Sequence, residues 1–171
     1  MPYWESWIRR DSRFELPSGI AEMLLKPEDV EDRLRRGEDP ISLSKEKWER
    51  IDRVFAAVSD LPLPLAYLGS LRKALGYKTC GLCIDAVRKL LVAGKRMTTG
   101  SDRCKVCRLA SIERCTAPGS QFSHLEDVLS MSPLDVAKPM ETERLKLISS
   151  YVQKIRHNLD ELSQLGNLTN R

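Results

Sequence analysis

Leu145-Lys146-Leu147-Ile148-Ser149-Ser150-Tyr151-Val152-Gln153-Lys154-Ile155-Arg156-His157-Asn158-Leu159-Asp160-Glu161-Leu162 is the most regular stretch of this chain. Its apolar positions Leu145, Ile148, Val152, Ile155, Leu159 and Leu162 alternate in steps of three and four, which is the period of one face of an α-helix. The spacing predicts a long amphipathic helix from about Glu141 to Leu165, with Gly166 as its stop. A seam of this kind can pair lengthwise with a helix of a second copy. A terminal helix of this size is more simply expected to cover its own domain.

The same period recurs toward the N-terminus. Trp48, Ile51, Val54, Phe55 and Val58 mark the core face of a helix that Ser44 is expected to cap, while Glu46, Lys47, Glu49 and Arg53 mark its polar face. Pro27, Glu28 and Asp29 open an earlier helix that Gly37 closes, and a short helix over 20–25 precedes it. Leu65 to Leu75 reads as a further helix ended by Gly76. Ser123 and Glu126 form a capping box for a short helix through Leu129, and Ser132-Pro133 opens a turn. Trp4, Trp7 and Ile8 make a small apolar stripe expected to pack on the body. No alternating run carries hairpin chemistry, so strands should be few.

Between the two helical halves stand Thr79-Cys80-Gly81-Leu82-Cys83 and Arg103-Cys104-Lys105-Val106-Cys107. Two sulfurs separated by two residues can reach one ion from a single turn of backbone, and two such pairs complete a tetrahedral thiolate shell. The spacing lies in the range read as a zinc site. Cys80, Cys83, Cys104 and Cys107 are therefore the expected ligands of one structural Zn2+, with an iron–sulfur cluster as the alternative. Cys115 is either a small buried apolar residue or a substitute ligand, and Cys115→Ser is expected to be tolerated if four ligands suffice. Thr79 is placed to cap a helix whose buried stripe is Ile84, Val87, Leu90 and Leu91, with Gly94 beyond its end. Residues 95–103 read as a polar, basic loop returning the chain to the metal.

The expected architecture is mostly α: a single helical domain over 1–171, with N-terminal helices in 1–75, an inserted four-cysteine metal-binding module in 76–118 and C-terminal helices in 119–171. A dithiol redox centre beside Cys80 is a weaker reading, because no βαβ pattern accompanies the pair. Hydrolytic metal catalysis is disfavoured because four thiolates leave no open position for water. His157 lies off the seam as a solvated residue, and His124 sits in a first helical turn. No catalytic residues are expected, and the chain is read as non-enzymatic.

Charge is unevenly spread. Residues 72–114 hold eleven Lys/Arg against three Asp/Glu, a local excess of +8 in a chain whose net charge is +4. Thiolates around a divalent ion would absorb part of that excess. The remainder, including Lys95, Arg96, Arg103, Lys105 and Arg108, could contact nucleic acid by phosphate attraction. The alternative is a protein-interaction adaptor or homodimer using the C-terminal seam. No stretch suits a membrane span, and the N-terminus shows neither the basic leader nor the apolar core of a secretory signal, so a cytoplasmic location is expected. Reduced thiols there favour metal over disulfides.

The succession Leu43-Ser44-Lys45-Glu46-Lys47-Trp48, Thr79-Cys80-Gly81-Leu82-Cys83, Cys104-Lys105-Val106-Cys107 and Cys115-Thr116-Ala117-Pro118, followed by an amphipathic helix, resembles a scattered group of small, uncharacterised prokaryotic and viral proteins. These carry a Lys-Trp helix, a Cys-x-Leu-Cys pair, a second Cys-x-x-Cys and a later single cysteine. The resemblance implies metal binding and no particular activity.

Overall fold

A computed structural model of the chain describes residues 15–62, 64–96, 100–130 and 138–168. The described residues are mostly helical and contain no strand. Among the described residues, eight α-helices follow in order: α1 (Ser18–Ala21), α2 (Pro27–Arg35), α3 (Pro40–Ser59), α4 (Leu68–Ala74), α5 (Gly81–Val92), α6 (Gly100–Val106), α7 (Gln121–Ser130) and α8 (Lys138–Leu168). Three short 3-10 turns, Pro64–Tyr67, Tyr77–Thr79 and Arg108–Ser111, link them. The stripe around Trp4 and the turn at Ser132-Pro133 lie outside the described residues.

Helices α3 and α8 form the spine and pack on one another along most of their length. The seam residues Ile148, Val152, Ile155, Leu159 and Leu162 are all buried, against Trp48, Ile51, Val54, Phe55 and Val58 of α3 and Leu125 and Leu129 of α7. Among the described residues, these seam positions are thus occupied by the chain's own core. Polar ties fix the register of α3 and α8: Arg156 donates to Asp52 at 2.6 Å, Gln153 donates to the same carboxylate at 2.8 Å, and Lys45 pairs with Asp160 at 2.6 Å. Helix α8 runs through Gly166 rather than stopping there. One glycine inside a helix costs only about 1 kcal/mol, and the Arg108 guanidinium lies where a side chain at Gly166 would go.

The capping expectations need two corrections. The sequence reading starts α3 at Ser44, whereas the helix starts four residues earlier, at Pro40, with Asp39 as N-cap accepting from the Ser42 backbone N–H at 2.9 Å. Proline at the first helical position and a carboxylate before it are the stronger start signal. Helix α7 begins at Gln121, and Ser120 rather than Ser123 supplies the cap, its hydroxyl accepting from the Ser123 N–H at 3.1 Å. Gly119, at φ 79°, turns the chain into that cap. At the far end of α7, the buried Arg144 of α8 donates twice to the Val128 carbonyl, at 2.9 and 2.6 Å.

Outside this spine, α2 lies against α5, and α5 against α3. A smaller apolar cluster of Leu25, Val30, Leu34, Leu43 and Ile84 fills that junction. Above it, Arg33 donates to Glu38 at 2.7 Å and pairs with Glu46 at 2.7 Å, holding both carboxyls below the ordinary glutamate range. A carboxylate with a depressed native pKa adds stability that is present above about pH 4.3, its unfolded value, and is lost as pH falls through the native value. Arg33→Gln is therefore expected to flatten the loss of stability below about pH 4.3. The change should be small, since these groups are a quarter to a third exposed. Urea midpoints measured between pH 3 and 5 check it.

Candidate thiol and metal centre

The first cysteine pair opens α5. Cys80 is its N-cap residue, at φ −102° and ψ 115°, and Cys83 lies in the first turn. Thr79 does not cap this helix: its hydroxyl donates back to the carbonyls of Ala74 and Gly76. The helix comes so close to α3 that a Cβ on Gly81 would stand 2.6 Å from the Pro40 carbonyl oxygen and 2.8 Å from the Leu43 Cβ. The glycine of Cys-Gly-Leu-Cys is thus what lets the cysteine helix seat on α3, and any side chain there must push the two apart.

That close approach brings a polar pair from α3 to the cysteines. Ser44, fully buried, accepts from the Leu82 backbone N–H at 2.9 Å and lies 3.4 Å from the Cys80 sulfur. It therefore satisfies one of the orphan donors at the start of α5 from a neighbouring helix. Ser44→Ala should cost about 1–3 kcal/mol, the penalty for a buried donor left without a partner. It should also raise the pH at which Cys80 becomes reactive, read from alkylation rates of the metal-free chain.

Lys47 is the larger departure from the sequence reading, which sets it on the polar face of α3. It is only 3% exposed. Its ammonium donates to the Leu75 carbonyl at 2.9 Å and to the Gly76 carbonyl at 2.8 Å, just before the cysteine segment begins. Burial pushes the Lys47 ammonium toward neutrality, and the charges of Cys80, Cys83 and Cys115 oppose that push. A buried cation of this kind calls for anionic company.

The second pair comes back to the same region. Residues 100–103, expected as loop, are the first turn of α6, which carries Cys104, buried at 6% exposure. Cys107 follows at the head of the 3-10 turn Arg108–Ser111. Cys80, Cys107 and Cys115 all pack against the main core. The five thiols carry no disulfide. They lie within electrostatic range of one another: Cys83 responds to Cys80 and Cys107, Cys107 to Cys80 and Cys104, and Cys115 to Cys80, Cys107 and Cys104.

Their acidities divide sharply. The Cys83 thiol hydrogen-bonds to Cys80 and, with Lys47 and Ser44, holds Cys80 well below the ordinary thiol range, against the opposing effect of burial. Cys83 is displaced upward by the same hydrogen bond and by burial. Burial raises Cys107, although the backbone N–H groups of Leu109 and Ala110 pull the other way. Burial and the neighbouring thiols push Cys115 up to about 12. Hydrogen-bond donors around Cys80 favour its thiolate, the form in which cysteine binds a soft ion.

Among the described residues, no group of three or more Cys, His, Asp or Glu side chains is drawn together as ligands of one ion are. The predicted four-cysteine metal shell is therefore not displayed as such. The neighbourhood does hold thiols of both paired motifs that influence one another electrostatically, and the buried Lys47 cation beside the first pair. His124 stacks on Tyr151 with ring centres 5.5 Å apart, and His157 is exposed on α8, so neither histidine joins the thiols.

The basic residues of this segment are unequal. The Arg103 guanidinium covers the Tyr77 ring at 4.2 Å, Lys105 pairs with Asp102 at 3.0 Å, and Arg108 reaches toward Gly166 of α8. Lys95 and Arg96 are exposed, and with Lys105 they border a cleft of about 280 Å³ floored by Leu90 and Val106. Leu91, expected on the buried stripe of α5, is 65% exposed, because the face of α5 that meets α3 is the one carrying Leu82, Ala86 and Leu90. Among the described residues no helix is long and apolar enough to cross a membrane. No protein-family model, curated protein or solved structure matches the chain.

Proposed function

We propose that the chain is a non-enzymatic metal-binding protein in which Cys80, Cys83, Cys104 and Cys107 hold one structural Zn2+ between the start of α5 and the end of α6. The observation that carries this reading is the buried Lys47 ammonium, 3% exposed, influenced by the charges of three cysteines and hydrogen-bonded to the Leu75 and Gly76 carbonyls. Four thiolates around a divalent ion form a complex of charge about −2, and a buried cation beside it offsets part of the cost of removing that charge from water. The metal would tie the start of α5, which is seated on α3, to the end of α6. An iron–sulfur cluster would use the same sulfurs, and the identity of the bound metal separates the two.

Adding Zn2+ to the reduced chain should give one equivalent of tight uptake and should protect four thiols from a thiol-reactive dye. Absence of uptake, with every accessible thiol still reacting, would overturn the proposal.

A second reading concerns what the metal-ordered segment presents. The cleft bordered by Lys95, Arg96 and Lys105 supports contact with an anionic backbone such as that of a nucleic acid. With Arg103 on Tyr77 and Lys105 on Asp102, this segment offers fewer free cations than its charge count implies. Binding to mixed single-stranded and duplex nucleic acid should be weak, indifferent to sequence and lost at high salt. Binding that survives 1 M salt, or none in 50 mM salt, would exclude it.

A further inference from the structure

Helix α5 ends in a turn that its own backbone fixes. The Gly94 N–H donates to the Leu91 carbonyl at 3.0 Å and the Lys95 N–H to the Leu90 carbonyl at 2.9 Å, the paired bonds of a Schellman turn. Gly94 sits at φ 66°, where a side chain is strained, so glycine is what holds the Lys95 backbone against Leu90. Both residues then line the cleft of about 280 Å³, together with Arg96 and with Asp102, Lys105 and Val106 of α6. The rim carries three cations, Lys95, Arg96 and Lys105, against one carboxylate, Asp102. That carboxylate pairs with Lys105 at 3.0 Å, but a lysine so exposed gains little from such a pair and exchanges it readily. The floor is aliphatic: Leu90 is buried and Val106 is 37% exposed. One residue beyond Leu90, Leu91 stands 65% exposed.

A phosphate backbone would use the cations and leave this aliphatic surface in water. Among the described residues that line the cleft there is no aromatic ring on which a base could stack. We propose that the cleft docks an acidic, amphipathic segment of a partner protein, with one aliphatic side chain over Leu90 and Val106 and carboxylates set against Lys95, Arg96 and Lys105. Charge complementarity selects this occupant: residues 72–114 carry an excess of +8, which steers an acidic segment toward the face. The aliphatic floor supplies the anchor that charge alone does not. The assignment goes beyond the nucleic-acid reading of the same cleft and competes with it.

The test is a selection from a random-sequence displayed peptide library on the full chain as purified, with Lys95→Glu/Lys105→Glu as the counter-target. Enriched peptides should carry Asp or Glu on both sides of a Leu, Ile or Val, and should bind the charge-reversed chain about tenfold more weakly or worse. Val106→Asn, which alters no charge, should weaken the same peptides by about as much while leaving retention of a random single-stranded oligonucleotide unchanged. Peptides that lack carboxylates, or no enrichment over the counter-target, would overturn the inference. If the oligonucleotide alone binds, the inference is wrong while the nucleic-acid reading stands. If neither probe binds, both fail together. Far-ultraviolet circular dichroism on each variant identifies misfolding. Should Val106→Asn be misfolded, Leu91→Gln, at an exposed position that tolerates substitution, replaces it with the same expected direction for both probes.

Discussion

Lys47→Met is expected to destabilise the chain by about 3–5 kcal/mol, the usual cost of removing one partner from a buried charged arrangement. Methionine keeps most of the volume in the core beside Trp48, so loss of packing contributes little. What disappears is the donor to the Leu75 and Gly76 carbonyls, the latter part-buried, and the positive charge among the thiols. The chain from Leu75 to Cys80 is anchored to α3 by these bonds and by Ser44, so the start of α5 should loosen first. The lowered denaturation midpoint should come with a weaker hold on Zn2+, since the −2 complex would lose its counter-charge. A midpoint within about 0.5 kcal/mol of wild type would mean that Lys47 is buried without being structurally used.

The second large effect is expected from the metal itself. Removing the ion with a chelator, or replacing the second pair in Cys104→Ser/Cys107→Ser, should abolish order across 76–118. Binding free energy at a structural zinc site is folding free energy, on the order of 10 kcal/mol in small zinc-ordered modules. The double replacement leaves only Cys80, Cys83 and Cys115, too few to close a four-thiolate shell. Amide hydrogen exchange locates the effect. Protection should be lost from Gly76 to Pro118 and retained along α3, α7 and α8, whose mutual core of Val54, Val58, Leu125, Val152 and Leu159 does not depend on the cysteines. Uniform protection before and after metal removal would contradict this division.

The helical spine was legible because α8 and α3 bury residues at helical period, and a period of three and four over many turns has no competing explanation. Ser44 and Lys47 were not legible, and the reason is geometric. Both sit beside the apolar stripe: Ser44 is one turn before Trp48, and Lys47 is one turn before Ile51 and two before Val54. Their angular position marks them as interior, while their chemistry marks them as surface. The conflict is resolved only by the segment that leads into α5, which sets the Leu75 and Gly76 carbonyls against Lys47 and the Leu82 N–H and Cys80 sulfur against Ser44. Nothing within α3 announces that neighbour. Leu91 shows the opposite error: an apolar residue next to Leu90 invites assignment to the core, but adjacent helical residues point about 100° apart and only one of them can face α3.

The thiol centre was legible in part. The pairs and the helix that opens at Cys80 could be read from spacing, the four-thiolate shell is not displayed among the described residues, and the buried Lys47 beside the first pair is what the structure adds. Cys115 reads as either a small buried residue or a substitute ligand, and it packs against the main core. Its place in the loop is fixed by a hydrogen bond from the Ser120 hydroxyl to its carbonyl, which no pattern in the sequence announces.

The whole account turns on an ion bridging these sulfurs. Elemental analysis of the full chain, purified under reducing conditions without added metal, tests that most directly: the prediction is close to one zinc per chain. A chain that carries neither zinc nor iron, and whose five thiols all titrate freely while the helices stay folded, would contradict it.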